Sequence, residues 1–287
     1  MTVYSTGMVG IPNQVDIGAY LVNLDVLKRQ EQYQQFIMNV KVPQTTFVQP
    51  ATIGLANLAS TKSRKKGINM NPKAVNCADI AASGATWYYN WSPRSNNCPG
   101  VEFVPMVWSE GKNLDSTLAN LPQGSEWLLG FNEPNLKGQA DMTPQRAASL
   151  WPKLEKTGRK LVAPAMAMPG TTWFAEFMRL CKNCRIDAIA IHTYEKQVGG
   201  ITHWINTYAK YGKPLWLTEF AQPGTSNVQQ CQSYIKSAVT KLENDPRVQR
   251  YAWFLNRSTK TTGNLVNCGS LFDSKGIKEI GKTYRDS

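Results

Sequence analysis

From residue 65 onward the chain alternates short apolar runs with helical patterns, and this rhythm restricts its fold more than any other feature. The strand-length runs are 66–69, 86–90, 103–107, 127–131, 161–164, 188–191, 215–217 and 251–255. Several are apolar at nearly every position, as parallel strands covered on both faces must be. Most intervals carry a helical pattern: from 144 onward, then 172–180, 201–210, 228–242 and 275–284. Thr143 followed by Pro144 is a helix-start signal, because proline at the first helical position gives up only an unpaired N–H. The interval 91–102 is too short and too rich in Pro, Ser and Asn for a helix, so one unit is expected to be degenerate. Eight units in about 220 residues predict an α/β chain folded as a compact (β/α)8 TIM barrel. An open doubly wound sheet is the alternative, but no G-x-G-x-x-G follows the first strand.

Residues 1–60 stand outside the alternation and are read as an N-terminal extension of unknown role, with a barrel domain over 61–287. Within the extension, 20–38 has a broken helical pattern and 43–50 reads as extended. Its charges cancel: Lys28, Arg29 and Lys41 against Asp16, Asp25 and Glu31. The formal charge of +12 therefore resides entirely in 61–287. A basic surface attracts anions non-specifically. No zinc-finger, RNP or P-loop pattern accompanies it, so no specific nucleic-acid partner is expected. No apolar run approaches the ~18 residues of a membrane span.

The 6 cysteines are Cys77, Cys98, Cys181, Cys184, Cys231 and Cys268, a number compatible with disulfides throughout and with an extracellular location. The first residues, which lack the basic and apolar regions of a signal peptide, argue the other way. Cys181-x-x-Cys184 reads first as a staple between a helix end and a strand. Free thiols or a zinc pair are the lesser alternatives.

Two apolar runs lead into glutamates: Trp127-Leu128-Leu129-Gly130-Phe131-Asn132-Glu133 and Pro214-Leu215-Trp216-Leu217-Thr218-Glu219. A carboxylate beside a buried strand costs desolvation energy, so two of them at strand ends suggest a matched acid–base pair at one rim of a barrel. The plain alternative is a pair of solvent-facing, ion-paired strand ends. The same rim would collect Trp91, Trp108, Asn132, His192, Tyr194 and, within or just after the last strand, Trp253 and Asn256. Aromatic faces with a polar surround suit the C–H faces and hydroxyls of a sugar. They suit phosphate poorly, since no glycine-rich loop or convergent Arg/Lys set is present. With only His192 and His203 as histidines, no metal site and no cofactor is expected.

Structural readings compete at several positions. His192 could instead satisfy a buried carbonyl, and Trp91 and Trp108 could be packing residues. His203 is expected at the surface. Asp187 and Glu126 precede their strands and read as structural residues of the opposite rim.

Gly130-Phe131-Asn132-Glu133-Pro134-Asn135, Ile191-His192-Thr193-Tyr194 and Trp216-Leu217-Thr218-Glu219-Phe220-Ala221 together resemble glycoside hydrolase family 128. This is a group of fungal and bacterial endo-β-1,3-glucanases within the clan of retaining barrel hydrolases. The similarity runs over roughly residues 64–285 and includes Trp151-Pro152, Ala163-Pro164-Ala165 and Tyr251-Ala252-Trp253-Phe254. Asn-Glu-Pro alone recurs across the clan; the ordered combination is far more specific.

The resemblance implies Glu133 as general acid/base and Glu219 as nucleophile. It implies Asn132 on the sugar 2-hydroxyl, Tyr194 orienting the nucleophile and Trp253 as a platform beneath the reacting sugar. It also implies a β-1,3-glucan as substrate; the chain is expected to work as a monomer. The extension 1–60 has no counterpart in that catalytic domain. Two other readings stay open: an inert carbohydrate-binding barrel used for attachment, and a hydrolase of another β-linked polysaccharide.

Overall fold

The computed structural model describes residues 63–258 and 268–287. The expectations for 1–60 lie outside the described residues. The described chain forms a parallel sheet of eight strands: β1 (Lys66–Asn69), β2 (Trp87–Tyr89), β3 (Glu102–Phe103), β4 (Trp127–Leu129), β5 (Lys160–Met166), β6 (Ala188–Tyr194), β7 (Leu215–Ala221) and β8 (Val248–Trp253). Their order is β3-β2-β1-β8-β7-β6-β5-β4. The two end strands are joined through the residues that follow β3. The Leu129 amide donates to the Pro105 carbonyl (2.9 Å), and the Val107 amide donates to the Leu129 carbonyl (3.0 Å). The sheet thereby closes into the expected TIM barrel.

The surrounding helices are α1 (Ala78–Ala82), α2 (Leu114–Ala119), α3 (Pro144–Glu155), α4 (Thr171–Leu180), α5 (Val198–Ala209), α6 (Val228–Asn244) and α7 (Glu279–Asp286). Thr143 caps α3 by accepting from the Arg146 amide at 3.1 Å, with Pro144 in the first turn as its sequence signals. No described helix separates β2 from β3, so the degenerate unit falls where the composition of 91–102 put it. The expected helix over 275–284 starts later. A short antiparallel pair, β9 (Phe272–Asp273) and β10 (Gly276–Ile277), comes first. Gly276 sits at φ 115°, a backbone state closed to a helix, so α7 begins at Glu279.

Side chains sort onto two faces with the period of two that strands impose. Trp87, Tyr89, Met106, Trp127, Leu129, Ala188, Ala190, Trp216 and Ala252 share one cluster inside the barrel. Ile68, Tyr88, Leu128, Ile189, Ile191, Leu217, Tyr251 and Trp253 join the larger cluster between sheet and helices. Both faces are apolar, which explains the near-continuous hydrophobic runs.

The cysteines pair as Cys77–Cys98, Cys181–Cys184 and Cys231–Cys268. The middle pair joins the end of α4 to the turn before β6, as the helix–strand staple reading expects. Among the described residues, no helix is long and apolar enough to cross a membrane.

Candidate active site

In a parallel barrel every strand points its C-terminus at one mouth, so residues ending different strands converge there. A cleft of about 550 Å³ occupies this mouth. Its lining includes Trp91, Trp108, Asn132, Glu133, His192, Tyr194 and Glu219, seven of the residues expected there from sequence.

Local irregularities aim the two glutamates. In β6 the inward alternation runs Ala188, Ala190, His192, Tyr194, and the last two reach the mouth. In β7 Trp216 faces inward, so strict alternation would turn residue 219 outward. The pairing of β7 with β8 shifts register between Leu217 and Phe220, and that irregularity lets Glu219 face the cleft. After β4 the chain passes through Gly130, where a Cβ would lie 2.9 Å from the Val162 carbonyl oxygen and 3.0 Å from the Trp151 ring. Glu133 itself adopts φ 43°, an uncommon state for a residue with a side chain and one that gathers at functional sites. It is held there by its amide donating to the Ala165 carbonyl (2.8 Å) and its carbonyl accepting from the Leu136 amide (3.0 Å).

His192 joins the two carboxylates. Its Nδ1 lies 2.9 Å from Glu133 Oε1 and its Nε2 lies 3.5 Å from Glu219 Oε1. One ligand atom from each of the three residues falls within 4.8 Å of the other two. Glu219 is the most thoroughly held. Tyr194 donates to Oε2 at 2.5 Å, while Trp91 Nε1 donates to Oε1 at 2.7 Å. The Tyr89 hydroxyl reaches Oε1 at 3.3 Å and also donates to the Thr218 carbonyl at 3.1 Å. Asn132 Nδ2 donates to Gln139 Oε1 (3.2 Å), and its Oδ1 is buried without a partner in the protein.

Such a trio of ligand atoms could geometrically face a divalent cation. The Glu219 oxygens, however, are already engaged by the Tyr194 and Tyr89 hydroxyls and the Trp91 N–H, and Glu133 Oε1 lies against His192 Nδ1, an arrangement made for carboxylates and their protons.

The electrostatics follow from burial and crowding. Burial pushes the Glu219 carboxyl up and the neighbouring Glu133 adds to the rise. His192 and the donors Tyr194 and Trp91 pull against it, and the net direction is above the usual carboxylate range. Burial opposes an imidazolium at His192, yet the two carboxylates outweigh it and raise its pKa. Burial, with Glu219 alongside, drives the phenols of Tyr89 and Tyr194 well above the ordinary tyrosine value. Both tyrosines therefore remain donors across the physiological range.

Two expected site residues lie elsewhere. The Trp253 ring is wholly buried on the outer face of the sheet, against Phe220, Tyr234 and Tyr284. It provides no platform in the cleft, because Ala252 takes the inward position and Phe254 is the next residue to face the mouth. Asn256 is also fully buried. It accepts from the Asn71 amide (2.8 Å) and donates to Asp79 Oδ2 (3.0 Å), where Arg257 also binds, so it braces a loop.

Sequence reasoning also missed participants. Phe254 packs edge-on against Trp91 and Tyr194. Tyr89, Gln139, Leu136 and Met168 complete the surroundings, and only the inward alternation of β2 would have flagged Tyr89. The structural readings of Asp187, Glu126 and His203 hold. Asp187 accepts from the Leu161 amide (2.7 Å), Glu126 pairs with Lys160 (3.2 Å), and His203 is exposed on α5.

A closed parallel barrel with two carboxylates, a histidine and aromatic rings at its C-terminal mouth has the layout of a barrel glycoside hydrolase. The glycosyl hydrolase catalytic core family matches residues 65–284, and the chain belongs to that family. Alkali-sensitive linkage protein 1 of Schizosaccharomyces pombe is 30% identical over 213 residues, which cover 70% of this chain and 40% of that protein. The chain therefore spans well under half of that relative's length.

Among solved structures, a subgroup I endo-β-1,3-glucanase of glycoside hydrolase family 128 from Amycolatopsis mediterranei, in complex with laminaritriose, superimposes with a TM-score of 0.70. It shares 29% identity over 78% of this chain and 99% of its own. A subgroup II endo-β-1,3-glucanase from Pseudomonas viridiflava gives 0.66 at 34% identity, over 78% and 98%. The resemblance carried by the Asn-Glu-Pro, His-Thr-Tyr and Trp-Leu-Thr-Glu-Phe segments thus extends to the whole barrel.

Proposed function

We propose that this chain cleaves β-1,3-glucan internally by double displacement, with Glu219 as nucleophile and Glu133 as general acid and base. The observation that carries the reading is the proximity of the two carboxylates, both within 4.8 Å of a shared histidine and of each other at their nearest ligand atoms. Retaining hydrolases hold their carboxyl groups ~5–5.5 Å apart, whereas inverting enzymes leave ~6.5–9.5 Å for a water. The laminaritriose complex of the Amycolatopsis relative supports the choice of glucan.

In the first step a Glu219 oxygen bonds to the anomeric carbon as the glycosidic C–O bond breaks. Glu133 gives its proton to the departing sugar oxygen. In the second step water attacks the anomeric carbon of the glycosyl ester, Glu133 takes the proton of that water, and Glu219 leaves as a carboxylate. Protons and bonds balance with side chains and water alone. Asn132, with an amide oxygen lacking a protein partner and Nδ2 near the cleft, is suited to a sugar hydroxyl. Trp108 and Phe254 offer apolar faces to the rings. The three disulfides support an oxidising, extracellular working environment.

The test is product release from laminarin and curdlan by wild type and Glu219→Gln side by side. Oligosaccharides from the wild type alone support the reading. Turnover by both removes Glu219 from the mechanism. Binding without turnover by either would favour the inert attachment barrel, and silence without binding would favour a different β-linked polysaccharide.

A further inference from the structure

Trp91 sits in the turn that stands where the β2–β3 unit lacks its helix. Its backbone has φ 57°, a conformation that a bulky side chain adopts only when its surroundings enforce it. The enforcing contacts are specific. The buried Asn90 side chain donates to the Arg94 carbonyl (3.0 Å) and to Asn96 Oδ1 (2.8 Å), and accepts from the Ser92 amide (3.2 Å). The Ser92 carbonyl accepts from the Met106 amide (3.1 Å), and the Cys77–Cys98 disulfide ties the same loop to the start of α1.

The outcome of this bracing is one contact: the indole N–H meets Glu219 Oε1 at 2.7 Å. Tyr89 and Phe254 each pack edge-on with the ring, with centroids at 5.3 and 5.6 Å. We propose that Trp91 is a positioning residue for the Glu219 carboxylate, its indole N–H fixing Oε1 while the Tyr194 hydroxyl fixes Oε2.

The chemistry favours an indole here. Its N–H donates, never accepts and does not titrate in the working range, so it stabilises the anion without becoming a competing acid or base. The shortest donor to each oxygen, Trp91 to Oε1 and Tyr194 to Oε2, is neutral, and the pair holds the carboxylate in one orientation, with the longer Tyr89 contact also on Oε1. Burial acts against the anion, and the Trp91 hydrogen bond is among the influences that restore it. This assignment differs from the sugar-platform and packing roles expected from sequence, and it rests on the nucleophile role proposed for Glu219.

The test is Trp91→Phe, which keeps an aromatic ring in the turn and removes only the donor. On laminarin, kcat should fall about tenfold or more while KM stays within about twofold, since a hydrogen bond to a charged group is lost but sugar contacts persist. The acid limb of the kcat/KM profile should move to higher pH, because losing a donor raises the Glu219 pKa. A rise in KM with kcat and the pH limb unchanged would overturn the proposal in favour of a platform.

A second readout needs no turnover. In protein labelled with 15N-tryptophan, the Trp91 indole N–H resonance is the one missing from Trp91→Phe. It should shift upfield in Glu219→Gln, where the acceptor loses its charge. An indole signal indifferent to Glu219→Gln overturns the proposal. A responsive signal together with no glucan cleavage by wild type would uphold the contact and discard the substrate reading.

Discussion

The two mouths of this barrel are furnished from the same kinds of residue and serve opposite ends. At the N-terminal mouth the Arg250 guanidinium lies among three indoles, 4.6 Å from the Trp216 centroid, 5.4 Å from Trp87 and 6.0 Å from Trp127. Its Nη2 pairs with Glu102 at 2.8 Å. Gly67 makes room for this cage, since a Cβ there would lie 2.3 Å from the Trp87 ring. A permanently charged group is thus packed against ring faces and neutralised, an arrangement that closes the barrel. At the C-terminal mouth, Trp91, Tyr89 and Tyr194 present N–H and O–H edges to Glu219, while a second carboxylate and a titratable imidazole crowd it. Faces around a cation make a plug. Edges around an anion that can gain a proton make a working site.

Substitutions at the two mouths should therefore separate activity from stability. The largest effect belongs to Glu219→Gln, with turnover reduced by at least about 10⁴-fold, as expected when the proposed nucleophile is removed. Its effect on stability carries the opposite sign to that of an ordinary paired carboxylate. A carboxyl whose folded pKa is raised contributes fully below its unfolded value near ~4.3, and becomes a growing liability as pH climbs from there to the folded value. The glutamine removes that liability, so its thermal midpoint at neutral pH should match or exceed that of wild type. A clear drop would mean that Glu219 is a structural ion, like its counterpart Glu102.

Next in size is Arg250→Met. Losing the guanidinium leaves Glu102 without its partner and the indoles without their cation, at a cost of about 2–4 kcal/mol in denaturant unfolding. Glucan turnover per folded molecule should be unchanged. Impaired turnover would join the two mouths functionally and break the contrast. Tyr194→Phe should lower kcat by about 10–100-fold, the value of a charge-assisted hydrogen bond to the proposed nucleophile, with little change in unfolding midpoint. The acid limb of its pH profile should move upward, as for Trp91→Phe, and an unmoved limb would remove Tyr194 from the control of Glu219 ionisation.

The two mouths were also unequally legible in the sequence. Glu133, Glu219, His192 and Tyr194 announce themselves as polar residues at the ends of apolar runs, and the strand-end rule for barrels brings them together. The plug gave no such signal: Trp87, Trp127 and Trp216 lie within strand-length apolar runs, and Arg250 falls just ahead of the apolar run 251–255 although it belongs to β8. Parity was the other obstacle. When both faces of a strand are apolar, the run does not say which residues turn inward. Hence Trp253 was expected in the cleft where Phe254 stands, and Tyr89, the inward neighbour of the outward Tyr88, went unnoticed. The sequence places Trp91 at the rim but does not carry its contact with Glu219, which depends on a positive φ that the composition of 91–102 does not advertise. The overall barrel, by contrast, needed only the rhythm of runs and helices.

The most direct test of the C-terminal mouth as a double-displacement site is the configuration of the first product. Proton NMR of laminarin digestion, followed from the first minutes, distinguishes the anomers before mutarotation mixes them. A pair of carboxylates as close as Glu133 and Glu219 predicts a β-configured reducing end appearing first, with the α-anomer rising later. An α-anomer appearing first would contradict the account, since inversion needs a water between carboxylates that this mouth holds too close together.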